Sequence, residues 1–150
     1  MTVEAPVHVD PTREAMALFR DLPGDRPIAM INLLRFRTAA GYPSDHAEAG
    51  KNHTGADAYA AYGRAAAAPF ARSGGRQLWL GRPEITLIGP ADEIWDLAFI
   101  AWYPTAEAFV GMLRDPEYRQ AVVHRQAAVA DSRLIRCEPR TAAAGFGEEA

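Results

Sequence analysis

A single α+β domain is what the sequence predicts, built as a four-stranded antiparallel sheet with helices on one face. Three observations predict it. A chain of 150 residues suits one domain with its own core. Residues 27–36 and 94–103 are nearly continuous apolar runs of the kind found in central strands. Stretches with helical spacing, 54–72 and 105–130, follow each of these runs.

Taken in order, Asp10 is placed to cap a short helix starting at Pro11, with Ala15, Leu18, Phe19 and Leu22 as its apolar stripe. Leu22-Pro23-Gly24 stops it. From Pro27 to Phe36 apolar residues fill both alternate sets, except at Asn32, as in a strand covered on both faces. Arg37 to His53 carries Gly, Pro, Ser, Asp and Asn without periodicity and reads as a long loop. Thr54 and Asp57 fit a capping box, and Tyr59, Tyr62, Ala66 and Phe70 recur at helical spacing until Ser73-Gly74-Gly75, with a kink expected at Pro69. Gln77 to Ile88 is a strand broken by Gly81 and Pro83, hence bulged or at an edge. Gly89-Pro90 turns the chain into the strand Ile94 to Tyr103. Thr105 caps a helix carrying Phe109, Val110 and Leu113, and Asp115-Pro116 restarts it as far as about Ala130. Arg133 to Glu138 alternates as a last short strand, and the tail is expected to fray.

Strand, helix, strand, strand, helix, strand is the βαββαβ order of the ferredoxin-like plait. The chain accordingly divides into a helical extension, 1–26, the plait, 27–138, and a flexible tail, 139–150. If the helices cover one sheet face, the apolar residues of the other need a second cover. Another copy of the sheet supplies it, so a homodimer through the sheet faces is expected.

Composition narrows the function. Hydrophobic residues at 49% and charged residues at 23% are ordinary for a globular chain. A net charge of -3 offers no cationic field for nucleic acid or an anionic membrane. No run approaches the ~18 apolar residues of a spanning helix, and the start of the chain lacks the pattern of a targeting segment. The single Cys137 excludes an intrachain disulfide, thiolate zinc sites and CxxC chemistry, and suits a reducing compartment, so the expected location is the cytoplasm. Lys51 is the only lysine, in a loop without a phosphate-binding glycine turn, which argues against Schiff-base and P-loop chemistry.

Met30-Ile31-Asn32-Leu33-Leu34-Arg35-Phe36, Gly74-Gly75 before Leu78-Trp79, Trp95-Asp96, Tyr103-Pro104, Asp115-Pro116-Glu117-Tyr118, His124-Arg125 and Asp131-Ser132-Arg133-Leu134 occur in an order and spacing that resemble a bacterial family, domain of unknown function 1330. The resemblance implies a protomer of the dimeric α/β-barrel superfamily, paired sheet to sheet. That superfamily holds cofactor-free monooxygenases, haem-degrading enzymes, muconolactone isomerase-like proteins and binding proteins, so no reaction is implied. The extension to Arg26 and the loop from Arg37 to His53 look longer than the family's usual form.

Several residues carry candidate chemistry. His124 lies among Ala121, Ala127 and Ala128, small neighbours that leave room for a ligand; it is either a general acid/base or a structural hydrogen-bonding residue. Arg125 falls in the apolar stripe of its helix and needs an anion: Asp96 or Asp131 within the protein, or a substrate carboxylate. Asn32 is either an oxyanion donor or a structural amide bonded to backbone. Tyr62, Tyr103 and Trp79 are candidate walls of an aromatic pocket, the phenols offering hydroxyls; core packing is the alternative for the aromatic set. His46 and His53 with Asp45 and Glu48 match no standard ligand spacing, so no metal is expected. Neither a G-x-S-x-G turn nor a base for Cys137 points to nucleophilic catalysis.

The expected function is the binding of a small organic molecule between sheet and helices, without a cofactor. Its catalytic version is proton transfer or oxygenation, with His124 moving the proton and Asn32 holding the oxyanion. The alternatives are a non-catalytic dimeric binding or structural module, and haem held through His124.

Overall fold

In the computed structural model, which describes residues 6–150, four strands form one sheet in the order β2-β3-β1-β4. The first five residues of the expected extension lie outside the described residues. The elements are α1 (Arg13–Asp21), β1 (Ile28–Phe36), α2 (Gly55–Arg72), β2 (Arg76–Gly81), β3 (Leu97–Tyr103), α3 (Ala106–Arg114), α4 (Pro116–Ala128) and β4 (Val129–Cys137). β1 pairs antiparallel with β3 and β4, and β2 pairs antiparallel with β3. This is the ferredoxin-like plait, with a helical appendage, α1, ahead of it and the second helix split in two at Asp115-Pro116.

One residue set of each central strand meets the helices. Ile28 and Met30 from β1 and Ala101 and Tyr103 from β3 pack with Phe109, Met112, Tyr118 and Ala121. Nearer the other end Leu34 packs with Ala58, Ala127, Ala128 and Val129. The helix layer is closed by small residues, Ala58, Ala66, Ala121 and Ala127 all being buried. The opposite face carries Ile31 and Leu33 of β1 beside Ile100 and Trp102 of β3 and Ile135 of β4, with Trp79 of β2 paired to Ile100. None of these six side chains is fully buried, and Trp79 and Ile135 are 54% and 49% exposed.

Several boundaries differ from the sequence expectation, each for a tertiary reason. Thr12, not Asp10, caps α1, its hydroxyl accepting the Ala15 N–H at 3.0 Å. Residues 8–10 are held against β4 and α4: the His8 N–H donates to Asp131 and the His8 carbonyl accepts from Ser132. Asp10 itself accepts from Gln126. The second strand ends at Gly81, because Pro83 lacks a donor and a register shift between Gln77 and Trp79 has already bent the pairing. The residues after it are irregular and leave Ile85, Leu87 and Ile88 exposed. β3 starts at Leu97 rather than Ile94, since the Asp96 carboxylate accepts the Phe36 N–H where a backbone carbonyl would continue the ladder. β4 begins at Val129, four residues before the expected Arg133, because pairing with Phe36, Arg35 and Leu34 overrides the weak strand preference of Ala130, Asp131 and Ser132.

The capping box at Thr54 and Asp57 is present, both bonds being 3.0 Å. Ahead of it the loop 37–54 is fastened by backbone bonds. Arg37 donates to Ala128, Gly41 to Ala127, and Gly55 to Arg37, at 2.8, 2.9 and 3.0 Å. Gly55 is glycine for lack of space, since a methyl there would collide with the carbonyl oxygens of Arg37 and Ala128. Gly55→Ala is therefore expected to lower stability by ~2–3 kcal/mol in urea unfolding. Gly63→Ala, on an open face of the same helix, is expected to leave it unchanged or raised by up to ~1 kcal/mol.

Candidate functional site

Between the helix-facing side of the sheet and the helices lies a cavity of about 980 Å³. The helices α2 and α4 bury small residues, Ala58, Ala66, Ala121, Ala127 and Ala128, where they pack, which leaves room beside the sheet for this cavity. Its walls are largely apolar: Met30, Ala66, Phe70, Phe99, Phe109 and Leu113. The N-terminal arm and α1 run across its mouth, with Val9, Ala15, Met16 and Phe19 facing in. Two arginines fasten this cover. Arg136 donates to the carbonyls of Phe19 and Pro23 and lies against the Phe19 ring, 4.6 Å from its centroid. Arg125 donates to the Val9 carbonyl.

Polar groups gather at one part of this space. Arg125 reaches Ser132 Oγ at 3.4 Å. The hydroxyls of Tyr62 and Tyr118 bond each other at 2.9 Å, and Tyr59 packs 5.3 Å from Tyr62, ring to ring. Burial holds the phenols of Tyr59, Tyr62 and Tyr118 above their ordinary pKa, so all three are neutral hydroxyls able to donate. Asn32 sits on the helix-facing side of β1 and donates Nδ2 to the Met30 carbonyl at 3.1 Å, leaving its amide oxygen without a protein partner among the described residues. Tyr103 lines the same cavity farther along, its hydroxyl against Met112 sulfur at 4.0 Å.

His124 is elsewhere. It adjoins Arg125 in sequence, but successive residues of a helix point ~100° apart. Its ring faces a separate pocket of about 370 Å³ lined by Tyr42, Glu48, His53, Asp57 and Arg64. The Tyr42 hydroxyl lies 2.6 Å from His124 Nδ1, and His46 stacks on Tyr42 with centroids 4.7 Å apart. Glu48 accepts from His53 Nε2 at 2.8 Å, and the Glu48 N–H donates to His46 Nδ1. Three of the four histidines thus meet around one phenol. Burial, then the neighbouring His46, pushes the His124 pKa below the ordinary imidazole value, favouring the neutral ring at pH 7.

Asn32, Arg125, Tyr62 and Tyr103 are therefore brought together around one cavity, while His124 and Trp79 are not. Trp79 stands on the opposite sheet face. The joint use of His124 and Asn32 on one substrate has no geometric basis, because the helix α4 separates their pockets. Haem held through His124 does not fit either: the space beside that ring is small and lined by carboxylates rather than apolar walls. No group of three or more His, Cys, Asp or Glu among the described residues is placed to hold a metal ion. Sequence reasoning missed Tyr42, Tyr118 and Arg64. Tyr42 and Arg64 carry no periodic signal toward His124, whereas Tyr118 stands two helical turns before Arg125 and was detectable by that spacing.

Among known families, the domain of unknown function (DUF1330) matches residues 50–137. Among solved structures, RPA0582, a protein of unknown function from Rhodopseudomonas palustris, shares 52% identity over 91% of this chain and 100% of its own, with a TM-score of 0.83. Methylated RPA0582 gives 52% identity, 90% and 96% coverage and the same TM-score, 0.83. A dimeric protein of unknown function and ferredoxin-like fold from Bacteroides fragilis is 15% identical over 75% of this chain and 95% of its own, with a TM-score of 0.47. No curated protein matches the chain. The share covered by RPA0582 is too large to omit the residues ahead of position 50, so that structure shares much of the N-terminal region.

The lowered His124 pKa makes a signed prediction. The unfolded chain, with its imidazole near ~6.5, takes up a proton before the folded one does. Stability at neutral pH is thus expected to fall as pH drops below ~6.5 and to go on falling until His124 itself protonates. A ring titrating below ~6.5 by NMR, and a flatter stability profile in His124→Gln, are the expected results; a ring titrating above ~6.5 contradicts them.

Proposed function

The chain belongs to the DUF1330 family, and within it we propose that this protein binds a small, mainly apolar molecule in the cavity between its sheet and helices. One observation carries the reading: a space of about 980 Å³, within the range of ligand sites, with apolar walls and a few grouped polar atoms. Apolar walls with a few convergent polar groups in one concave space are the usual make-up of a small-molecule site. Asn32, Arg125, Tyr62 and Tyr103 are then the ligand-contacting residues, with Tyr59 and Tyr118 added to them.

The uncharged probe N-phenyl-1-naphthylamine tests this. Its fluorescence is expected to rise on binding, and Ala66→Phe, which narrows the cavity, is expected to weaken binding at least ~10-fold with the circular dichroism spectrum unchanged. Absence of binding to the parent protein, or equal binding to the narrowed variant, refutes the reading.

A second reading concerns acid–base chemistry and rests on the 2.6 Å contact between Tyr42 and His124. A neutral imidazole bonded to a neutral phenol can accept one proton and pass another, without a cofactor, in the small polar pocket rather than the cavity. Asn32 has no part in it. A His124 ring found protonated at pH 7 in the titration above removes this reading.

The functional unit is in our reading a homodimer. Ile31, Leu33, Ile100 and Trp102 lie side by side on the face without helices, an apolar patch that a second sheet covers most simply. Light scattering is expected to give twice the 16.3 kDa chain mass, and Ile100→Lys to give the single chain. A monomeric parent at micromolar concentration overturns this. Among the described residues no helix is long and apolar enough to cross a membrane, and Cys137 is unpaired; on the latter ground we place the protein in the cytoplasm.

A further inference from the structure

We propose that the molecule held in the cavity is an anionic amphiphile, a carboxylate on an apolar body, and that Arg125 receives the carboxylate. The inference rests on the cavity reading above and adds the chemical class of the guest. Its basis is a cation without a counter-ion. Arg125 lies on the stripe Tyr118, Ala121, Arg125, Ala128 of α4, whose other three members are buried, and it is itself only partly exposed. A guanidinium there loses much of its hydration and needs a compensating charge.

The two carboxylates within the protein that the sequence offered as partners are both committed elsewhere. Asp131 accepts the N–H groups of His8 and Ser132 at 2.9 Å each and pairs with Arg133 at 3.0 Å. Asp96 accepts the Phe36 N–H at 2.8 Å. Among the described residues no carboxylate oxygen comes within 4.0 Å of Arg125. Asp10, on the cavity rim, is held by Gln126 at 3.3 Å instead. Arg125 therefore donates only to neutral acceptors, the Val9 carbonyl and Ser132 Oγ. Two of its five N–H groups are so used, leaving donors of the planar fork for a ligand.

What surrounds this cation suits an anionic head of the size and planarity of a carboxylate. Tyr59 has no hydrogen-bond partner among the described residues, and its phenol, kept neutral by burial with Arg125 acting against the shift, is a donor. The Tyr62 and Tyr118 hydroxyls share one bond between them, so one hydroxyl hydrogen of the pair stays free for an acceptor. A guanidinium fork with phenolic donors beside it is a binding set for a planar anion. A cationic head would meet Arg125 directly. Of the other arginines bordering the cavity, Arg136 has its donors on the Phe19 and Pro23 carbonyls and its face on the Phe19 ring, Arg133 is paired with Asp131 and Glu93, and Arg119 is exposed on the rim. Beyond the polar group the walls are Met30, Phe70, Phe99 and Phe109, which suit a hydrocarbon or aromatic body.

Decanoate and decanol, which differ in the head alone, decide the question by calorimetry at pH 7.5 with the full chain. The parent is expected to bind decanoate at least 10-fold tighter than decanol. Arg125→Gln is expected to abolish that preference, any loosening of the arm at Val9 weakening both probes alike, and Arg119→Gln, on the rim, to keep it. Arg125→Lys, which keeps the charge but loses the fork, is expected to retain only part of it. Equal or weaker binding of decanoate in the parent overturns the inference without any variant, and so does a preference that survives Arg125→Gln. Decanol bound with no gain from the charge leaves the cavity reading standing. Failure of both probes to bind removes the two together.

Discussion

Small residues at the contacts between helix and sheet are the constraint on which the rest depends. Ala58, Ala66, Ala121, Ala127 and Ala128 are buried where α2 and α4 approach each other and the strands. Short side chains let the helices pack closely, as their dense mutual contact requires, but cannot fill the width between helix layer and sheet. The unfilled volume is lined by Phe70, Phe109, Tyr62 and Tyr118 among others. The cavity follows from that one compositional choice.

The same helix keeps two chemistries apart. Arg125 and His124 are neighbours in the chain, and the helical twist sends one toward the sheet and the other toward the loop 37–54. Each environment then sets the state of its residue. The cavity surrounds the guanidinium with neutral donors and acceptors, while the loop brings Tyr42 and two further histidines against the imidazole. An arginine and a histidine adjacent on one rigid element thus face two separate spaces.

The fold was legible in the sequence because its signals are local. Thr54 and Asp57, Ser73-Gly74-Gly75, Thr105 and Asp115-Pro116 mark helix ends by bonds made within a few residues. What was illegible depends on partners far along the chain. β4 runs through Ala130-Asp131-Ser132 because β1 lies alongside, and α1 is capped by Thr12 rather than Asp10 because β4 and α4 hold the arm ahead of it. The site was legible in kind but not in grouping. Asn32 and Arg125 stood out as polar residues in apolar patterns, and both border the cavity. His124 stood out for its small neighbours Ala121, Ala127 and Ala128, yet a ~100° step separates it from Arg125, finer than an approximate stripe resolves. Tyr42 was hidden altogether, in a loop whose closure comes from backbone bonds at Arg37, Gly41 and Gly55.

The cover over the cavity is attached chiefly through its backbone. Arg125 grips the Val9 carbonyl, Ser132 the His8 carbonyl, and Arg136 those of Phe19 and Pro23. Every position except proline offers the same carbonyl and amide, so such fastening is indifferent to which side chains the segment bears. Ala15 and Met16 are thereby left as an interchangeable inner lining, open to substitutions that reshape the space without redesigning the clasp.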